Sequence, residues 1–244
     1  MIDSITVAMG LLTFAAFTIR VITGFGSAIL LSPIFSNILP PKEAVVLIIL
    51  LESSVNIIFV VKEKMNLGLK EVYAGGFSGI AIGIALFGIA SQQMIGLSIG
   101  LGMVVLAVLM LAGVNFRVKN TKRLFLSLGF ASGSMGVLTG VNGPQIILGL
   151  TNQGYDSAFI RSFIITYLVI IDTVTLAAFL LSGHINADVV VKFAYLVPSV
   201  ALAYVTGRRI LGKLDGEDLR RVMLLTVIVL SIVLIARYGG GLLV

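Results

Sequence analysis

At 244 residues, with 58% hydrophobic and 11% charged residues and a mean hydropathy of +1.13, the chain is too apolar for a soluble domain, where about a quarter of residues are charged. Its apolar runs have helix length, not the alternating segments of about ten residues of an outer-membrane barrel, so composition points to an all-α integral membrane protein. With no cysteine and one histidine, His184, the chain excludes thiol chemistry and gives no basis for a metal site, and its net charge of +6 comes from Lys and Arg in short loops beside apolar runs, which is membrane orientation and not nucleic-acid binding.

Met1-Ile2-Asp3-Ser4 lacks the basic start of a cleavable signal peptide, so a retained first span is expected near 5–22. Thr23-Gly24-Phe25-Gly26-Ser27 then interrupts the apolar pattern, and the stretch 25–39 is too short for a hydrocarbon core of roughly 30 Å, which takes about 20 residues. Spans follow near 43–61, 70–90 and 94–114, then a basic linker at 115–123 and a span near 124–138. A second break, Thr139-Gly140-Val141-Asn142-Gly143-Pro144, overlaps another short apolar stretch at 141–152, and spans near 158–182, 189–207 and 219–236 complete the chain. The expected architecture is about eight transmembrane helices plus two short re-entrant or half-spanning helices.

Loop charges orient these elements. Lys62, Lys64 and Lys70, then Arg117, Lys119, Lys122 and Arg123, then Arg208, Arg209, Lys213, Arg220 and Arg221 mark three cytoplasmic loops, whereas 91–93 and 182–188 carry no Lys or Arg and belong outside. This alternation holds only if 124–138 and 141–152 form a hairpin that returns to the cytoplasm. The same hairpin in the first half leaves three crossings after it, and an odd number inverts the second half. The chain therefore reads as a first repeat at 1–114, a cytoplasmic linker at 115–123 and an inverted second repeat at 124–244, together one folded membrane domain. Thr23-Gly24 and Thr139-Gly140 align at an offset of 116, and Gly83 and Gly207 at 124. Gly75, Gly79 and Gly83, and Gly96 and Gly100, recur every fourth residue and read as close helix packing.

Backbone can leave the helical pattern inside a bilayer only where protein or a watery cavity satisfies it. Two such breaks at equivalent points of two halves mark a secondary transporter with its site between inverted repeats. Helices opening after Gly26 and after Pro144 present N–H groups and a positive dipole end to an anion. Thr23, Gly24, Gly26, Ser27, Thr139, Gly140, Asn142, Gly143 and Gln145 are thus substrate-binding candidates, and Arg20 and Arg161 could offset substrate charge, snorkel, or pair with an acid. Glu52, which shares a helical face with Asn56, and Asp172, which lies in a span with Thr166 and Tyr167 before it, are candidates for proton coupling or for a buried ion pair, because low dielectric disfavours a charged carboxylate. His184 reads as a plain surface histidine. Gly24-Phe25-Gly26 lacks the third glycine and the strand of a dinucleotide fingerprint.

The segment from Thr23-Gly24-Phe25-Gly26-Ser27 to Pro33, and Gly140-Val141-Asn142-Gly143-Pro144 with Arg161 some seventeen residues later, resemble the sulfite exporter TauE/SafE family, grouped with toluene sulfonate uptake permeases. The resemblance covers essentially the whole chain. It implies a secondary carrier, an exporter of small sulfur-containing anions such as sulfite, sulfoacetate or other organosulfonates, working by alternating access in the bacterial inner membrane. The first break here is Gly-Phe-Gly-Ser where many relatives have a run of glycines. A proton-coupled uptake permease for a small organic anion would look the same, and an anion channel is a further alternative, separable by saturable flux. No enzyme is expected, since no nucleophile and base pair is present. No cofactor is expected, and the expected partners are the anionic substrate and membrane lipid, with a homodimer compatible but not selected by the sequence.

Overall fold

The structure, a computed structural model, describes residues 4–23, 25–60, 65–113, 118–210 and 216–240. Gly24, Lys62, Lys64, Arg117 and Lys213 lie outside the described residues. The described residues form ten helices: α1 (Ser4–Thr23), α2 (Ser27–Ile38), α3 (Pro41–Val60), α4 (Lys70–Ile89), α5 (Gln92–Leu111), α6 (Thr121–Thr139), α7 (Pro144–Asn152), α8 (Ser157–Leu181), α9 (Ala187–Ile210) and α10 (Gly216–Gly239).

Each expected span and both short segments appear within a few residues of their expected bounds. Six of the helices, α1, α4, α5, α8, α9 and α10, have the length and hydropathy to cross a membrane, so the chain is a multi-pass membrane protein. The expected eight include two further long helices, α3 and α6. Of these two, α3 includes Lys42, Glu43, Glu52, Ser53, Ser54 and Asn56, and α6 opens on Thr121-Lys122-Arg123 and continues with Ser127, Ser132 and Ser134. α3 is also the most enclosed, with Ala44, Val45, Leu47, Ile48, Ile49 and Leu51 fully buried.

Glycine sets the closest helix pair. A Cβ at Gly75 would lie 2.1 Å from the Leu126 carbonyl oxygen, one at Gly129 2.1 Å from that of Val72, and one at Gly133 2.1 Å from that of Gly76, so α4 and α6 run parallel in backbone contact. α1 and α9 also run parallel, with Gly10 against Ser199 and Gly207 against Val21. α5 and α10 are antiparallel, with Gly96 against Tyr238 and Gly100 against Ile235. α3 crosses α8 at the centre, where Asn56 donates to Asp172.

These pairings collect the cationic ends. Asn66, just before α4, bonds Ser162 and Thr166 near the start of α8, and Arg220 reaches the Met110 carbonyl at the end of α5. Lys70, Lys122, Arg123, Arg161, Arg208, Arg209 and Arg220 thus share one end. At the opposite end Lys42 takes the Gln92 side chain on its backbone N–H, and Lys192 pairs with Glu43 at 2.6 Å. With the cation-rich end in the cytoplasm, cysteines placed at the exposed positions Gln92 and Ser182 should react with an impermeant thiol reagent from outside, and one at Asn120 should not. Labelling of 92 and 120 from the same side contradicts this orientation.

Candidate functional site

Both breaks are built around a left-handed glycine. Gly26, at φ 114°, precedes α2, and Gly140, at φ 77°, ends α6; other residues are strained in that region. Pro144 occupies the first turn of α7, where its missing N–H costs nothing, with Gly143 as the cap, so this helix begins at Pro144 and not after it. The irregular carbonyls are met by hydroxyls from inside the protein: Ser32 of α2 donates to the Thr139 carbonyl at 2.6 Å, and Ser132 of α6 donates to that of Asn142. The Thr23 hydroxyl lies 2.6 Å from the Phe25 carbonyl oxygen.

A single chain of polar contacts joins the two breaks through the protein centre. The buried Arg20 guanidinium pairs with Glu52, contacts the Ser27 hydroxyl at 3.2 Å and donates to Asn56 Oδ1 at 2.5 Å. Ser27 donates to Glu52 Oε1 at 2.5 Å. Asn56 passes the chain on, its Nδ2 donating to Asp172 Oδ2 at 2.5 Å, while Asn142 Nδ2 donates to Asp172 Oδ1. Arg20, Ser27, Glu52, Asn56, Asn142 and Asp172 are all buried. Each short helix therefore meets a carboxylate of the protein near its N-terminus: Glu52 at Ser27, the first residue of α2, and Asp172 at Asn142, two residues before α7.

On the other side of Arg20 lies a cavity of about 320 Å³. Arg20 closes its inner end, Thr23 and Phe25 of the first break line it, and Ile147, Ile160, Ile164 and Leu168 supply an apolar wall. Thr151, Ser157 and Arg161 line its mouth and are exposed, at the cation-rich end. Two guanidinium-bearing residues with an apolar wall between them suit an anion that carries a small hydrocarbon part.

Of the residues singled out from sequence, Arg20, Thr23 and Arg161 line the cavity. Ser27, Glu52, Asn142 and Asp172 stand behind Arg20 in the polar chain, and Gly26, Thr139, Gly140 and Gly143 shape the breaks. Gln145 contacts Met135 Sδ at 3.0 Å. Ser32 and Ser132, the latter accepting from the Tyr167 hydroxyl at 2.9 Å, were not legible as site residues, because lone hydroxyls in apolar runs look like packing residues.

A family model, Sulfite exporter TauE/SafE, matches residues 9–234. The chain belongs to the sulfite exporter TauE/SafE family. The match spans both breaks and every residue of the polar chain and the cavity. Members of this family are membrane transporters and not enzymes, so the cavity and polar chain described here belong to a TauE/SafE transporter. No curated protein matches the chain, and no solved structure does.

His184 departs from the surface role expected of it. Its ring is half-buried against Phe87 and Phe179, with centroids 5.1 Å and 6.0 Å away, and burial first, then the Lys42 ammonium, hold its imidazole below the ordinary value of 6.5. The folded protein therefore favours neutral His184, and this contribution is lost as pH falls below 6.5. His184→Gln should flatten the decline of melting temperature on the acid side, as followed by thermal unfolding across pH.

Glu52→Gln should show how far Arg20 depends on its partner. Removing one member of a buried ion pair costs about 3–5 kcal/mol. Lys192→Gln, which opens the more exposed pair with Glu43, should cost under about 1 kcal/mol. Denaturant unfolding of both purified variants makes the comparison.

Proposed function

We propose that this protein is a secondary carrier, in the bacterial inner membrane, that exports small organosulfonates or related sulfur anions by alternating access between two inverted repeats. The observation that carries this reading is the cavity lined by Arg20 and Arg161: two guanidinium-bearing residues suit an anion, and Arg20 is also bonded to Ser27 of the first break and to Glu52 and Asn56 of α3. Sulfoacetate, short alkylsulfonates and sulfite are the candidate substrates. The volume lies at the low end of small-molecule sites, roughly 300–1,000 Å³, and the isoleucine wall favours an organic sulfonate over bare sulfite.

The repeat arrangement is supported by equivalent contacts. α1 to α5 and α6 to α10 have the same order of long, short and three long helices. Val21 packs on Gly207 just as Val137 packs on Gly83; Val21 and Val137 are 116 residues apart, as are Thr23 and Thr139. Asn56 and Asp172, separated by the same 116, bond each other on the axis that would relate the halves. The cavity opens at the end assigned to the cytoplasm, which is the loading side for export. A proton-coupled importer uses the same parts in the opposite sense, and the polar chain with Glu52 and Asp172 gives that second reading its specific support.

Thermal shift of purified protein with ethanesulfonate, sulfoacetate, sulfite and propionate tests the substrate class, since a ligand that binds the folded state alone raises its stability. Ethanesulfonate or sulfoacetate should stabilise more than sulfite and propionate. Equal shifts from all four, or none, overturn the assignment. Arg161→Gln should weaken binding of the best ligand by about three- to tenfold, the scale of an exposed charge, and Arg161→Lys should recover only part, lacking the planar fork that matches an oxyanion.

A further inference from the structure

We infer that Asp172 is the proton-binding group of the polar chain, and that its protonation releases Asn142 and with it the second helix break. Asp172 accepts from two amide N–H groups, Asn56 on Oδ2 and Asn142 on Oδ1. An ionised carboxylate is acceptor-only and suits both. A proton on the lone pair that accepts an amide sets O–H against N–H, and a proton on that oxygen's other lone pair removes the charge that strengthens the bond. Either way the amide on the protonated oxygen is held more weakly.

The two amides are not equally free to yield. Asn56 is held from its other end, where Oδ1 accepts from the Arg20 guanidinium at 2.5 Å. Turning it would place its NH₂ against a cation and forfeit a charge-assisted bond. Asn142 sits in the break between Gly140 and Pro144, packed at Gly136, and its bond to Asp172 is the side-chain tie that adds to the Ser132 bond on its backbone carbonyl in holding the break. The proton is therefore accommodated on Oδ1, and Asn142 yields.

The surroundings of Asp172 single it out from Glu52. Glu52 touches the Arg20 guanidinium directly and takes a hydroxyl donor from Ser27, so its partners include a cation. Among the described residues, the donors that Asp172 accepts from are the neutral amides of Asn56 and Asn142. The charged and titratable groups around it are Arg20 of α1, Glu52 of α3, Tyr167 on α8 itself and Tyr73 of α4, whose ring lies 5.6 Å from that of Tyr167. With both carboxylates ionised against one arginine, the cluster has one excess negative charge, and a proton on Asp172 removes it. In the carrier reading, on which the purpose of this device rests, protonation frees one half-helix to move while the Arg20 side stays fixed.

The test uses no substrate, so it stands or falls apart from the transport assignment. Hydrogen exchange of the backbone amides at 140–143 in the full-length protein, expressed as protection after correction for intrinsic rates, is followed together with the infrared band of protonated carboxyl groups. As pH falls from about 8 to about 5, protection at 140–143 should drop by about tenfold in step with the band, while 25–27 stays unchanged. Asp172→Asn, a permanent stand-in for the protonated acid, should lose that band and show low protection at every pH. Asn142→Ala should keep the band but show pH-independent low protection. The inference is overturned if wild-type protection at 140–143 does not change while the band appears, a comparison needing no variant, or if Asp172→Asn retains the wild-type pH response.

Discussion

The charge of Arg20 is what the rest of the centre is arranged to hold. A guanidinium moved from water into a low-dielectric interior loses several kcal/mol of solvation, regained only if a counter-charge and hydrogen bonds close around it. Here the Glu52 carboxylate, the Ser27 hydroxyl and the Asn56 side-chain carbonyl do so from one helix, α3, and the first break. These partners dictate geometry beyond themselves: Ser27 must open α2, which fixes the first break against α3, and Asn56 must face α8, which fixes Asp172. The residue that best suits an anionic substrate is thus also the residue that ties the first break to α3.

The breaks obey the same constraint in neutral form. A carbonyl freed from helical pairing in the membrane must find a donor, and Thr139 finds Ser32, a residue of the opposite half. The hydroxyl that satisfies the second break is thus carried by the short helix of the first. Movement of one short helix past the other therefore cannot be electrostatically silent, since it exposes a carbonyl and a hydroxyl together. The helix N-termini show a related economy. Sequence suggests that a bound anion would sit there, but the nearest anions are Glu52 and Asp172, placed where the dipole favours negative charge. The cavity lined by Arg20 is a separate space, lined by Thr23, Phe25 and residues of α7 and α8.

How much of this the sequence discloses depends on the range of the interaction. Spans and short helices are local, set by the length of apolar runs, and their positions are legible to within a few residues. The breaks are legible because glycine at positive φ and proline in a first helical turn are local requirements. Glu52 and Asn56 are recognisable as one face because four residues separate them. That Arg20 meets Asn56 and that Asn56 meets Asp172 depends on helices 36 and 116 residues apart crossing at one point, and no local pattern carries that. Arg20 and Arg161 look alike from sequence, yet one is buried and the other exposed at a cavity mouth, because only the first lies within reach of a buried acid. His184 illustrates the converse, a loop residue drawn half inside by two rings on α4 and α8.

In the inverted-repeat arrangement proposed above, the pairing of Asn56 with Asp172 would explain why the two halves do not keep identical residues at their common axis. On such an axis, equivalent side chains face each other. Two aspartates there would repel unless one carried a proton, and two asparagines would pair well but leave no site for a charge. Asparagine opposite aspartate makes a donor meet an acceptor with a single charge between them, and it gives the contact a direction. The amide oxygen points toward Arg20 in the first half, and the acid's remaining oxygen toward Asn142 in the second. A carrier that alternates between two states needs its halves close enough in structure to exchange roles, and different enough in chemistry for a proton to choose between them. One asparagine-to-aspartate difference at the axis meets both requirements.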